Sequence, residues 1–132
     1  MPARGRHPLP RIERLERVVQ AQRGRCFWCG RDFGPLVRPT VDHVVPRVKG
    51  GPSWPENEVA ACRRCNAERG HRTPVDWLEE CLRRGWPVTA ADLAAVLGAL
   101  DAAVETHGGA RRARPYLRGQ LRRLTRWGSG TR

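Results

Sequence analysis

The 132-residue sequence has no apolar stretch approaching the roughly 20 residues of a membrane-spanning helix, because charges interrupt every hydrophobic run. A spanning helix is excluded. Met1 to Pro10 is rich in Arg and Pro and lacks the ~7–15-residue apolar core of a secretory leader, so a cytoplasmic location is expected. Lysine is nearly missing, since 24 of the 25 basic residues are arginine and only Lys49 is not. Acid is scarce too, at 13 residues, which leaves a formal charge of +12. A GC-rich genome could favour Arg over Lys, but it would not create the excess. The length and the 39% hydrophobic content allow one domain with one modest core.

The charge is unevenly placed. Residues 1–25 carry +5, residues 26–75 carry +3, residues 76–109 carry −4, and residues 110–132 hold eight arginines and no acid. Arginine presents a planar fork that grips phosphate bidentately. Basic ends around an acidic centre are what a chain that holds a polyanion from two sides would show.

Periodicity supplies the coarse architecture. Ile12, Leu15, Val18 and Val19 recur at the helical period between Pro10 and Arg23, with Gly24 as a stop. Thr40 to Val45 reads as a strand ended by Pro46, Lys49-Gly50-Gly51-Pro52 as a loop, Glu58 to Ala61 as a second strand, and Arg63 to Gly70 as a short helix. Thr73 with Pro74 opens a helix whose apolar face holds Trp77, Leu78, Cys81 and Leu82. Thr89 with Asp92 forms a capping box ahead of the stripe Leu93, Val96, Leu97, Leu100 and Val104. A last helix near Pro115 places Leu117, Leu121 and Leu124 together among arginines and reads as a basic surface element; Gly128 to Arg132 should fray. The expected fold class is α+β.

Five cysteines are present, and four form two Cys-x-x-Cys pairs, Cys26/Cys29 and Cys62/Cys65. Two such pairs complete a closed tetrahedral Zn²⁺ site, which is a structural rather than a catalytic arrangement. A reducing compartment argues against disulfides, and a redox dithiol would need one pair only. Cys81, on an apolar helix face, reads as a small buried hydrophobe.

Between the knuckles stand Asp42-His43-x-x-Pro46, Gly50-Gly51, Asn57, and Cys62-x-x-Cys65-Asn66-x-x-Arg69-Gly70. In this order and spacing the segment from Cys26 to Gly70 resembles the zinc-bearing HNH endonucleases, with Arg69 where lysine is frequent. The resemblance implies a ββα-metal core over residues 26–72, preceded by a basic arm and helix (1–25) and followed by a helical extension (73–132) ending in an Arg-rich segment. It also implies metal-dependent hydrolysis of DNA, leaving 5′-phosphate and 3′-hydroxyl ends. His43 would be the general base, Asn57 would orient it, and Asp42 and Asn66 would hold Mg²⁺ or Mn²⁺.

The chemistry agrees with that assignment. Phosphodiester cleavage needs a base for the attacking water and a cation for the developing charge. An imidazole with ordinary pKa near ~6.5 suits the first, and carboxylate and amide oxygens suit the second. Adjacent strand residues point to opposite faces, so Asp42 and His43 serve one site only if the strand end is twisted or bulged. Arg63, Arg64 and Arg69, with Arg118, Arg122 and Arg123, are candidate phosphate contacts in a monomer or homodimer. Each element has a plainer reading: Asp42 and His43 as surface groups on a zinc scaffold, Asn57 and Asn66 as turn and cap residues, Trp28 and Trp54 as packing. The corresponding function is a non-catalytic, zinc-stapled nucleic-acid-binding adaptor.

Overall fold

The computed structural model describes residues 9–128. Its elements run α1 (Arg11–Ala21), β1 (Pro39–His43), β2 (Glu58–Cys62), α2 (Arg63–Arg69), α3 (Pro74–Arg83), α4 (Ala90–His107) and α5 (Arg114–Gly128). Short 3-10 turns occupy Arg47–Lys49, Pro55–Asn57 and Arg111–Ala113. The expected α+β class and the order of elements hold. The basic arm ahead of Leu9, and all but the first residue of the tail expected to fray, lie outside the described residues.

Local chemistry explains the boundaries. Thr73 accepts a bond from Asp76 N at 3.1 Å to open α3, and Thr89 and Asp92 exchange bonds of 3.0 and 2.9 Å to open α4. β1 and β2 pair antiparallel in an unbroken register from Pro39↔Cys62 to His43↔Glu58. The first strand ends at His43, short of Val45, because the next two amides leave the ladder for one residue. Val44 N donates to the backbone oxygen of Asn57 and Val45 N to its side-chain oxygen, each at 2.9 Å.

A two-stranded sheet is marginal by itself. Here β2 is buried along its whole length. Arg14 of α1 reaches its residue Glu58, while α2 continues directly from its C-terminal end. Trp28, Trp77, Val44, Val45, Val75, Leu78, Leu93, Leu97, Leu100 and Leu117 are fully buried around this centre. Trp28, expected to pack, meets Trp77 edge to face at 6.5 Å.

The last helix departs from expectation. Read as a basic surface element, it buries Leu117 and Leu124 and packs Leu121 against the same core, so the leucine stripe is covered by the chain itself. Gln120 on that helix accepts from Val75 N at 2.9 Å, satisfying an amide in the first turn of α3. The helix is half core element and half basic surface.

Candidate active site

The four knuckle cysteines are all buried, and their sulfurs lie within 4.8 Å of one another. A tetrahedral ion with Zn–S near 2.3 Å sets sulfurs about 3.8 Å apart. Cys29 and Cys62 stand at 3.8 Å. The donor set therefore fits a structural Zn²⁺, and the cysteines are clustered for it rather than cross-linked. Cys62 N donates to Cys26 Sγ at 3.3 Å, Cys65 N to Cys62 Sγ at 3.5 Å, and Arg31 Nη2 to Cys62 Sγ at 3.1 Å. Such donors offset the negative charge of four thiolates. A hydrogen bond from Cys65 is the main reason the Cys26 thiol is pushed down to about 4. Burial pushes the Cys81 thiol up to about 12, consistent with an inert core position.

His43 closes β1. Its side chain is 17% exposed, with Nε2 at 3.1 Å from Ser53 Oγ and 3.7 Å from Glu58 Oε2. Burial holds the imidazole below its ordinary value; Glu58 opposes that shift and the charges of Arg47 and Arg11 reinforce it. The ring is thus neutral at neutral pH, as a base must be.

Asp42 points the other way, as adjacent strand residues do, and no bulge interrupts the ladder at Asp42 or His43. Asp42 Oδ2 accepts from Trp28 Nε1 at 2.8 Å and Oδ1 from Arg69 Nη1 at 2.9 Å. Asn66 approaches the same strand from α2, donating Nδ2 to Thr40 Oγ1 at 2.9 Å and to Val41 O at 3.2 Å. With its nitrogen committed to β1, Asn66 keeps its oxygen as an acceptor. A carboxylate offers about four lone-pair positions, two of which Asp42 has used. Carboxylate and amide oxygens are the donor types that a hard divalent cation takes.

Asn57 is fully buried. Its Nδ2 donates to Val45 O at 3.0 Å and Pro52 O at 2.9 Å, while Oδ1 holds Val45 N. These bonds pin both sides of the loop following His43, the geometry that the orienting role expected of Asn57 calls for.

Two corrections concern arginines. Arg69 is 2% exposed and donates to Asp42, His43 O, Val44 O and Arg72 O, so it is a core strut and not a phosphate contact. Arg123 donates to Asp76 at 2.8 Å, and Arg118 stands 3.6 Å from Asp101. The charge of Arg118 and Arg123, with that of Arg114, is therefore met by the acidic central segment of the same chain. Arg63, Arg64 and Arg122 are exposed as expected.

Sequence reading missed Glu58, Ser53, Arg14 and Arg31. The available signal was a lone acid at the head of the apolar run Glu58-Val-Ala-Ala-Cys62.

Residues 26–80 match the family model described as HNH endonuclease. Over this segment, less than half of the chain, the sequence is similar to the HNH endonucleases. The chain is also similar to a curated relative, the CRISPR-associated endonuclease Cas9 of Corynebacterium diphtheriae, at 34% identity over 74 residues. That alignment takes in 55% of this chain and 7% of the relative. A crystal structure of the type II-C Cas9 enzyme from Actinomyces naeslundii aligns with 76% of the chain at 22% identity and a TM-score of 0.49, covering 11% of that protein. The chain thus spans a small fraction of both. No helix among the described residues is long and apolar enough to cross a membrane.

Proposed function

We propose that this chain is an HNH-type, divalent-cation-dependent endonuclease that hydrolyses DNA phosphodiester bonds. The observation that carries the reading is His43: a neutral, partly buried imidazole at a strand end whose following loop is locked by the buried Asn57. His43 takes the proton of the attacking water. Asn57 keeps its strand end in place. Asp42 and Asn66 supply oxygen ligands for Mg²⁺ or Mn²⁺, which when bound neutralises charge on the phosphate and on the leaving 3′ oxygen. The Cys26, Cys29, Cys62 and Cys65 site holds Zn²⁺ and staples the turn at 26–29 to the junction of β2 and α2.

The test is plasmid incubation with Mg²⁺, Mn²⁺ or EDTA, comparing wild type with His43→Ala. Metal-dependent nicking or linearisation that disappears in the variant supports the reading. A second reading has its own observation, since Asp42 already satisfies Arg69 and Trp28 and would serve equally in a purely structural role. Tight DNA binding without cleavage across all metals would favour that adaptor.

A further inference from the structure

β2 is buried at all five positions, and four of them are apolar: Val59, Ala60, Ala61 and Cys62. The fifth is Glu58, with a side chain 3% exposed. A carboxylate out of water is costly unless it is paired, and the packing of a buried strand would accept an apolar residue here at less cost. Glu58 is paired. Arg14 of α1, 44 positions earlier in the chain, donates Nε to Oε1 at 3.0 Å and Nη2 to Oε2 at 3.1 Å, and a third bond from Nη1 to Leu9 O fixes the guanidinium at the entry of α1.

The pair stands directly across the ladder from His43, its register partner. Glu58 Oε2 is 3.7 Å from His43 Nε2, and Ser53 Oγ is 3.1 Å from the same nitrogen. An anionic carboxylate can only accept, and a hydroxyl can do so. Both groups flank one side of the imidazole. A neutral imidazole carries one proton, and which nitrogen holds it follows from the partner each nitrogen meets.

We infer that Ser53 and the Arg14-held Glu58 are positioning residues that fix His43 as its Nε2–H tautomer, so that Nδ1 is the nitrogen presented to the attacking water. Ser53 accepts the Nε2 hydrogen, and Glu58 supplies the field that keeps it there. Arg14 holds the carboxylate at that distance, so that it does not close on the ring. The assignment deepens the nuclease reading and rests on it for its catalytic meaning. It gives α1, which lies outside the segment matched by the family model, a part in the site.

Two measurements on the zinc-loaded full chain test it. The first is long-range ¹H–¹⁵N NMR of the His43 ring above its titration range, which distinguishes the tautomers without any substrate. Wild type should show the Nε2–H pattern, and Ser53→Ala combined with Glu58→Leu should shift it toward a mixture. The second is single-turnover cleavage beside DNA affinity in EDTA. The double variant should lose about tenfold or more in rate, the scale of a misdirected general base, with affinity within about twofold. Glu58→Gln keeps an acceptor oxygen beside Nε2 and should restore most of the rate. A wild-type ring protonated on Nδ1, or a double variant with unchanged tautomer and rate, overturns the inference; so does a loss of affinity that matches the loss of rate. A wild type that shows the Nε2–H pattern and binds DNA but cuts nothing overturns the nuclease reading while supporting the tautomer assignment.

Discussion

Arg69 and Asp42 form an ion pair at 2.9 Å with side chains only 1% and 7% exposed, joining the end of α2 to β1 one residue before His43. The same guanidinium donates to the carbonyls of His43 and Val44 at 3.2 and 2.6 Å and lies 5.6 Å over the ring of Trp28. A single side chain thus sets the path of the strand end. Removing one partner of a buried pair strands the other charge, at a cost of about 3–5 kcal/mol. Arg69→Ala should therefore lower the midpoint of thermal unfolding of the zinc-loaded protein by roughly 10 °C or more. Arg69→Lys, which keeps the charge but not the fork, should fall between. An alanine variant as stable as wild type would contradict the strut.

Asn57→Ala separates positioning from binding. It leaves Val45 N, Val45 O and Pro52 O without their partner in a buried place, where each orphaned group costs about 1–3 kcal/mol. The loop after His43 should loosen and cleavage should fall at least tenfold, while DNA affinity in EDTA stays near wild type. Equal losses in both would place Asn57 on the binding path instead.

The zinc staple and the order β, loop, β, helix could be read from the sequence because each rests on local signals: ligand spacing, Pro46, Gly50-Gly51, and the caps at Thr73 and Thr89. What escaped was what depends on contacts between distant residues. Arg14 meets Glu58 across 44 positions and Arg69 meets Asp42 across 27. No periodicity reveals which arginine turns inward. The same holds for part of the tail: of the eight arginines in residues 110–132, Arg114, Arg118 and Arg123 lie beside Glu105, Asp101 and Asp76.

Strong chelation should remove one Zn²⁺ per chain and unfold the knuckle region, because a structural site of this kind is worth on the order of 10–16 kcal/mol and the sheet has only two strands. Metal content by mass spectrometry, with far-ultraviolet circular dichroism and melting before and after chelation, reads it. Cys65→Ser should mimic chelation. Unchanged spectrum and melting after verified metal loss would sink the structural role.

Two exposed arginines should matter more for DNA than the Arg-rich helix. The charges of Arg47, just after β1, and Arg11, at the start of α1, both act on the His43 ring. Among the described residues neither has a carboxylate within ion-pair distance, whereas Arg123 is paired with Asp76 and Glu79. Arg47→Ala and Arg11→Ala should each weaken DNA binding and make the log–log salt slope shallower by about 0.9, the value of one phosphate contact. Arg123→Ala should change the slope little. The opposite ranking would return the grip to α5.

The Gly50-Gly51 turn ties the site to the C-terminal extension, and substitutions there should distinguish two kinds of constraint. Gly51 runs so close to β1's continuation that an added Cβ would overlap the carbonyl oxygen of Val45 and lie 2.9 Å from Asn57 Nδ2. Neither neighbour can retreat, because Val45 and Asn57 hold each other through two hydrogen bonds. Gly50 has φ of +89°, and its Cβ would come within 2.8 Å of Arg112 Cβ in the turn before α5. That Cβ would also meet backbone of the same turn, Ala113 N at 3.0 Å and Arg112 C at 3.2 Å, so the turn itself must shift. Gly50→Ala should then cost about 1–2 kcal/mol from the left-handed backbone and more from that shift. Gly51→Ala should cost more and should disable cleavage together with stability, because it pries apart the Val45–Asn57 contact that fixes His43. Melting and plasmid cleavage of the two variants side by side decide the matter. If Gly51→Ala were the milder change, the loop would have room that the close approach to Val45 denies, and Asn57 would not be the pin on which the strand end depends.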